Sequence, residues 1–267
     1  MFHVKKISVC SSHLALRRLA FTLAEVLITL GIIGVVAALT IPPLIQRSQE
    51  QNAVVQLKKT YTTLSNAYNR AVAENGDPIG WGLTSTSNYD PIISEKMMGY
   101  FTPYLNVAKD CGSASANTGC FPNGIYQYRD ASNAWTNWVN INTNSAGQLA
   151  RVRLADGSGL AMVYPEANGN CNYNYGPTPA LQSRCGDIYV DIDGLKGRSM
   201  VGVDLFKFYL TNYGIIPAGT ASETQAKFST ACLTSGGWGC TAWVLYNGNM
   251  DYMKCGGLAW GGQTSCP

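Results

Sequence analysis

The chain has 267 residues, enough for one sizeable core with an appendage, and its net charge of +3 comes from a leader that holds Lys5, Lys6, Arg17 and Arg18 and no acid. Beyond that leader 15 Lys and Arg face 16 Asp and Glu, so the electrostatic footprint of a nucleic-acid binder is absent. Both histidines, His3 and His13, also lie in the leader; no imidazole is left for a catalytic pair or a zinc site further on, and no residue cluster argues for an enzyme.

After the basic leader, residues 26–45 read VLITLGIIGVVAALTIPPLI without a charge, and as a helix at about 1.5 Å per residue they span about 30 Å, the hydrocarbon thickness of a bilayer. Basic residues precede this segment and mixed polar sequence follows from Gln46, which gives a single-pass topology with the N-terminus in the cytoplasm. Glu25 stands at its head, where an ionised carboxylate entering lipid requires a partner; a plain interfacial glutamate near the headgroups is the alternative. Gly31, Gly34, Ala37 and Ala38 thin one stretch for close helix approach. Pro42 and Pro43 lack the amide hydrogen that the helix ladder uses, which predicts a kink or break there.

The run ALRRLA followed by FTLAEVLITLGIIGVVAALTIPPLIQ resembles, over residues 20–46, the N-terminal signal of type IV pilins and type II secretion pseudopilins. The resemblance implies cleavage by a prepilin peptidase between Ala20 and Phe21, methylation of the new amine of Phe21, and pairing of Glu25 with the terminal amine of a neighbouring subunit. A positive amine offsets the carboxylate only once subunits assemble, so the pair would act as a register device. Ala20 departs from the family, which usually has glycine before the cut. The resemblance further implies that the stretch between Gly34 and Pro42 unwinds on assembly. Its implied partners are the prepilin peptidase, other pilin or pseudopilin subunits and an inner-membrane assembly platform, with the head in the periplasm or outside the cell. Ordinary export is the rival reading: a small-residue site near Val36, Ala37 and Ala38 is similar to a secretory signal-peptide cut, but it leaves Glu25 inside the apolar core unexplained.

Past the prolines, Val54, Leu57, Tyr61, Leu64, Tyr68 and Ala71 fall at alternating steps of three and four, an apolar stripe on a helix that Gly76 ends. Residues 77–120 read as a connector with one short helix, capped by Asp90 and opened by Pro91. The segment RVRLADGSGLAMVY reads as a hairpin about residues 156–159, and DIYVDIDG and VGVDLFKFYL read as two further strands. In the loop between them, Asp191, Asp193 and Asp204 either offer oxygens to Ca²⁺ or form a tight Asp-Gly turn with solvated acids. No other cofactor is expected.

Eight of the nine cysteines (Cys111, Cys120, Cys171, Cys185, Cys232, Cys240, Cys255 and Cys266) lie beyond the apolar segment, and Cys10 lies in the leader. An even set without a CxxC pair reads as a disulfide framework in an oxidising compartment, with Cys111 and Cys120 the best local pair. The organisation expected is a leader (1–20), an assembly half-helix in the membrane (21–45), an amphipathic half-helix (46–76) and a head (77–267). The fold class is α+β and pilin-like, a long N-terminal helix packed on an antiparallel sheet with a disulfide-rich C-terminal region. Its implied function is that of a filament subunit in the cytoplasmic (inner) membrane; a single-pass or secreted disulfide-rich adhesin is the alternative.

Overall fold

The computed structural model describes residues 22–114, 119–130, 132, 134–139, 141, 148–165, 170–196 and 199–267. The chain divides into two compact units, one ending at Arg47 and the other Ser48–Pro267. In the first, the described residues belong to the start of helix α1 (Leu23–Asn75), which is long and apolar enough to cross a membrane. Of the kink or break expected at Pro42 and Pro43, the break is not found: the helix runs through both. Each proline removes one backbone donor, so two ladder bonds are missing while the turns on either side keep theirs. Thr29 Oγ1 and Thr40 Oγ1 donate to the carbonyls of Val26 and Val36, so neither hydroxyl needs a partner outside the helix.

In the second unit the stripe of α1 meets a sheet. Val54, Leu57, Leu64, Tyr68 and Ala71 are buried as the spacing predicts, Thr60 and Ala67 join them, and Tyr61 is half-buried with its ring stacked on Phe208. Six strands form one antiparallel sheet: β1 (Val107–Gly112), β4 (Leu149–Leu154), β5 (Gly159–Val163), β6 (Arg184–Asp191), β7 (Leu205–Thr211) and β8 (Gly214–Pro217), in that spatial order. A second, two-stranded sheet pairs β2 (Tyr126–Arg129) with β3 (Trp135–Val139). The period-two pattern sorts side chains between two layers. Leu160, Met162, Ile188, Val190, Phe206, Phe208 and Leu210 join the core that α1 covers. Their neighbours Ala161, Val163 and Leu205 point the other way, into a second core with Phe121, Tyr126 and the Cys111–Cys120 bridge. Both faces are covered, which is why β5 is buried along its whole length.

The sheet's two edges are blunted. β1 carries exposed Lys109 and Asp110 and two register shifts against β4, and β8 has four residues ending in Pro217. Helix α2 (Pro91–Gly99) starts where its cap predicts, with Asp90 Oδ1 accepting from Ile92 N at 2.9 Å. A last short helix, α3 (Thr241–Asn247), buries Trp243 against Phe228, ring centroids 4.0 Å apart. The tail is tied back to α1 by Lys254, whose ammonium lies 2.5 Å from Glu50.

Candidate functional site

The residues that carry the assembly expectation lie at the start of α1. Ala20 and Phe21 fall outside the described residues. Thr22 and Glu25 form a capping box: Thr22 N and Thr22 Oγ1 each donate to Glu25 Oε2 at 2.8 Å, and Glu25 N donates to Thr22 Oγ1 at 3.2 Å. The carboxylate therefore has a local task, satisfying donors that the first turn of a helix leaves open. That task needs no second subunit. The sequence carries the signal in Thr22-x-x-Glu25, which a reading centred on the membrane charge passes over. Gly31 and Gly34 lie on open helix surface, where an added Cβ would meet nothing within 4 Å. Pro42 is exposed on the same helix.

The acid loop of the head is more tightly built. Asp191 ends β6 with no exposed surface; its Oδ2 accepts from the Tyr126 hydroxyl, and its Oδ1 accepts from Gly194 N at 2.7 Å. Asp204 Oδ2 accepts from Met200 N at 3.3 Å. Gly194 has φ +63°, and a Cβ there would stand 1.9 Å from the Gly157 carbonyl oxygen, so the turn needs glycine to dock on the β4–β5 hairpin. Burial pushes the Asp191 carboxyl well above the usual carboxylate range; the Tyr126 hydrogen bond opposes this, and the adjoining Asp193 and Asp204 carboxylates add to it. Asp191 thus binds a proton more readily than an exposed aspartate does. Among the described residues no group of three or more His, Cys, Asp or Glu side chains could hold a metal ion.

On the neighbouring part of the sheet a second charged cluster has no sequence signal at all. Arg184 Nε lies 2.7 Å and Lys207 Nζ 2.9 Å from the two oxygens of Asp187. The Arg184 guanidinium sits over the Tyr175 ring at 4.3 Å. Burial would raise the Asp187 carboxyl, but the Arg184 and Lys207 charges outweigh it and leave the group below its ordinary value. Arg184 and Asp187 share β6, and Lys207 lies on β7, where it pairs opposite Tyr189, so only strand pairing brings the three together.

Four disulfides close short loops: Cys111–Cys120, Cys171–Cys185, Cys232–Cys240 and Cys255–Cys266. The first is the pair expected from the sequence. Each spans 8 to 14 positions, a loop size at which a bridge contributes roughly 3 kcal/mol or a little less by the chain-entropy argument. The bridges staple separate parts of the head, two of them in the Gly-rich tail.

The profile of a family described as a family of unknown function (DUF6613) matches residues 43–254. No curated protein and no solved structure matches the chain.

Proposed function

The chain belongs to that family of unknown function, and from its own residues we propose that it is a structural subunit, pilin or pseudopilin, of a type IV pilus or type II secretion-like filament. It is cut before Phe21, held in the cytoplasmic membrane by the first half of α1, and polymerised through that helix, with the disulfide-stapled head outside. The head, a helix packed across one face of an antiparallel sheet, is read as pilin-like.

One observation carries the reading. From Leu23 onward α1 turns large apolar side chains outward, with Ile28 63%, Val35 62% and Leu44 68% exposed, and Glu25 is the one charge at its head. Such a surface needs lipid or other helices around it. The capping box makes the test sharper, because Glu25→Ala and Glu25→Gln differ in a useful way. Glutamine still accepts from Thr22 and keeps the cap, but it cannot neutralise a neighbour's amine. In cells that supply the native partners, both variants should insert in the membrane and be cut before Phe21, and both should be missing from sheared filaments or crosslinked complexes. If Glu25→Gln is incorporated like the wild type, the glutamate serves only its own helix and the assembly reading loses its main support.

A further inference from the structure

The four disulfides differ in what surrounds them. Cys111, Cys120, Cys171, Cys185, Cys232 and Cys240 are each 5% exposed or less, and all six belong to the two cores of the head. Cys255 and Cys266 are only half-buried. The loop that their bridge closes, 11 positions from end to end, stands in the open at both ends: Gly256, Gly257 and residues 261–265 are exposed. A Cβ added at Gly256, Gly257 or Gly261 would meet nothing within 4 Å.

The loop is gripped at its middle. Leu258 is buried in the core that α1 covers, and Trp260 Nε1 donates to the Gly219 carbonyl at 3.0 Å. Past Trp260 no residue is buried. Apart from the bridge, that chain end is held by hydrogen bonds at exposed or half-buried positions, among them Asn249 Nδ2 to the Thr264 carbonyl and Cys266 N to Asp251 Oδ2, each at 2.9 Å. A segment with little buried apolar surface and solvent-exposed hydrogen bonds opens locally, at a free energy far below that of global unfolding. The other bridges have no such route. Cys185, for example, lies in β6, which is paired with β5 on one side and β7 on the other, so exposing its sulfur means parting the sheet or the core.

We propose that Cys255–Cys266 is a thiol-exchange site, reduced by an external dithiol while the other three bridges stay closed, and that its opening frees the chain beyond Trp260. One thiolate of the dithiol attacks a bridge sulfur and forms a mixed disulfide, and its second thiolate then displaces the protein sulfur. The S–S bond of the bridge breaks, the dithiol is oxidised to a disulfide, and its two electrons and two protons end on Cys255 and Cys266 as thiols. Exchange of this kind depends on access, which sets this bridge apart from the rest. The root of the loop stays in place. Lys254, the residue before Cys255, remains paired with Glu50 of α1, and Leu258 and Trp260 keep their contacts, so only the end is released. The site does not depend on the filament reading, since the bridge and its surroundings belong to the head.

The test uses the full oxidised chain in detergent, given dithiothreitol in graded amounts and quenched at intervals with N-ethylmaleimide, with peptide mass mapping to read which cysteines carry the label. Cys255 and Cys266 should be labelled together, about tenfold or more ahead of the other six. In the selectively reduced protein, amide hydrogen exchange should rise about tenfold or more in residues 261–265 and stay unchanged at Leu258 and along β6 and β7. The double variant Cys255→Ser, Cys266→Ser, which lacks the bridge without any reductant, should show the same rise in the same residues. Reduction of another bridge first, or of all four in one step, overturns the proposal. So does exchange in residues 261–265 that selective reduction leaves unchanged, which would show that the chain end is held without its bridge.

Discussion

In the first half of α1, Ile28, Ile33 and Leu44 are each more than 60% exposed, while Leu57 in its second half and Leu160, Ile188 and Phe208 in the head expose nothing. The same residue types are used in opposite ways. In the apolar segment the hydroxyls of Thr29 and Thr40 and the carboxylate of Glu25 bond within one or two turns of their own helix. In the head, polar groups find partners far along the chain, such as Tyr126 on Asp191 and Tyr252 on the Gly202 carbonyl. Thr62 and Thr63 in the second half of α1 bond to their own helix in the same way as Thr29 and Thr40, so what sets the first half apart is its outward apolar surface, on a helix long and apolar enough to cross a membrane. The difference teaches that the two parts respond to different perturbations, and the following measurements try to separate them.

The largest effect expected in the head comes from Asp187→Ala. It leaves Arg184 and Lys207 without the carboxylate between them, and loss of one partner from a buried ion cluster costs about 3–5 kcal/mol. Chemical denaturation followed by near-ultraviolet circular dichroism measures it, while membrane fractionation of the same variant should not change. A cost below about 1 kcal/mol would mean that the cluster is dispensable.

A pH series comes next. The folded protein binds a proton at Asp191 more tightly than the unfolded chain does, so stability falls as pH rises from the unfolded carboxylate value of about 3.9 through the raised native value. Asp187 acts in the opposite sense, contributing stability above about pH 3.9 that is lost as pH falls through its lowered native value. Asp191→Asn removes only the first dependence. Thermal melts between pH 4 and 8 should show a shallower decline for the variant than for the wild type; parallel curves would contradict a proton held at Asp191.

The smallest effect belongs to the surface. Lys59 Nζ lies 2.9 Å from Asp156 Oδ2, with the lysine side chain 62% exposed, so Lys59→Ala should change stability by no more than about 1 kcal/mol. A larger loss would show that the hairpin turn is held to α1 by charge instead of by the apolar stripe beneath it.

Where the sequence speaks through local rules, the fold follows it: the three-and-four spacing of the stripe, the Asp90 cap before Pro91, and the turn around residues 156–159 between β4 and β5. Where partners come from distant sequence, it is silent. β1 sits inside a region read as a connector because VAKDCG alternates weakly; as an edge strand with two register shifts it has little reason to alternate. The ion cluster on Asp187 depends on the pairing of β6 with β7, which no local pattern records. Of the kink or break expected at Pro42 and Pro43 the break does not occur, since two missing donors do not end a helix whose neighbouring turns are intact. Glu25 is the reverse case, for its capping pattern was legible and the membrane argument hid it.

The central claim is that residues 21–45 are an anchor and assembly segment kept in the mature protein. Intact mass and N-terminal sequencing of protein extracted from membranes test it most directly. The account predicts a chain that begins at an N-methylated Phe21 and retains the whole of α1; a chain beginning near Leu39, just past the small-residue site, would contradict it and make the apolar segment a discarded export signal.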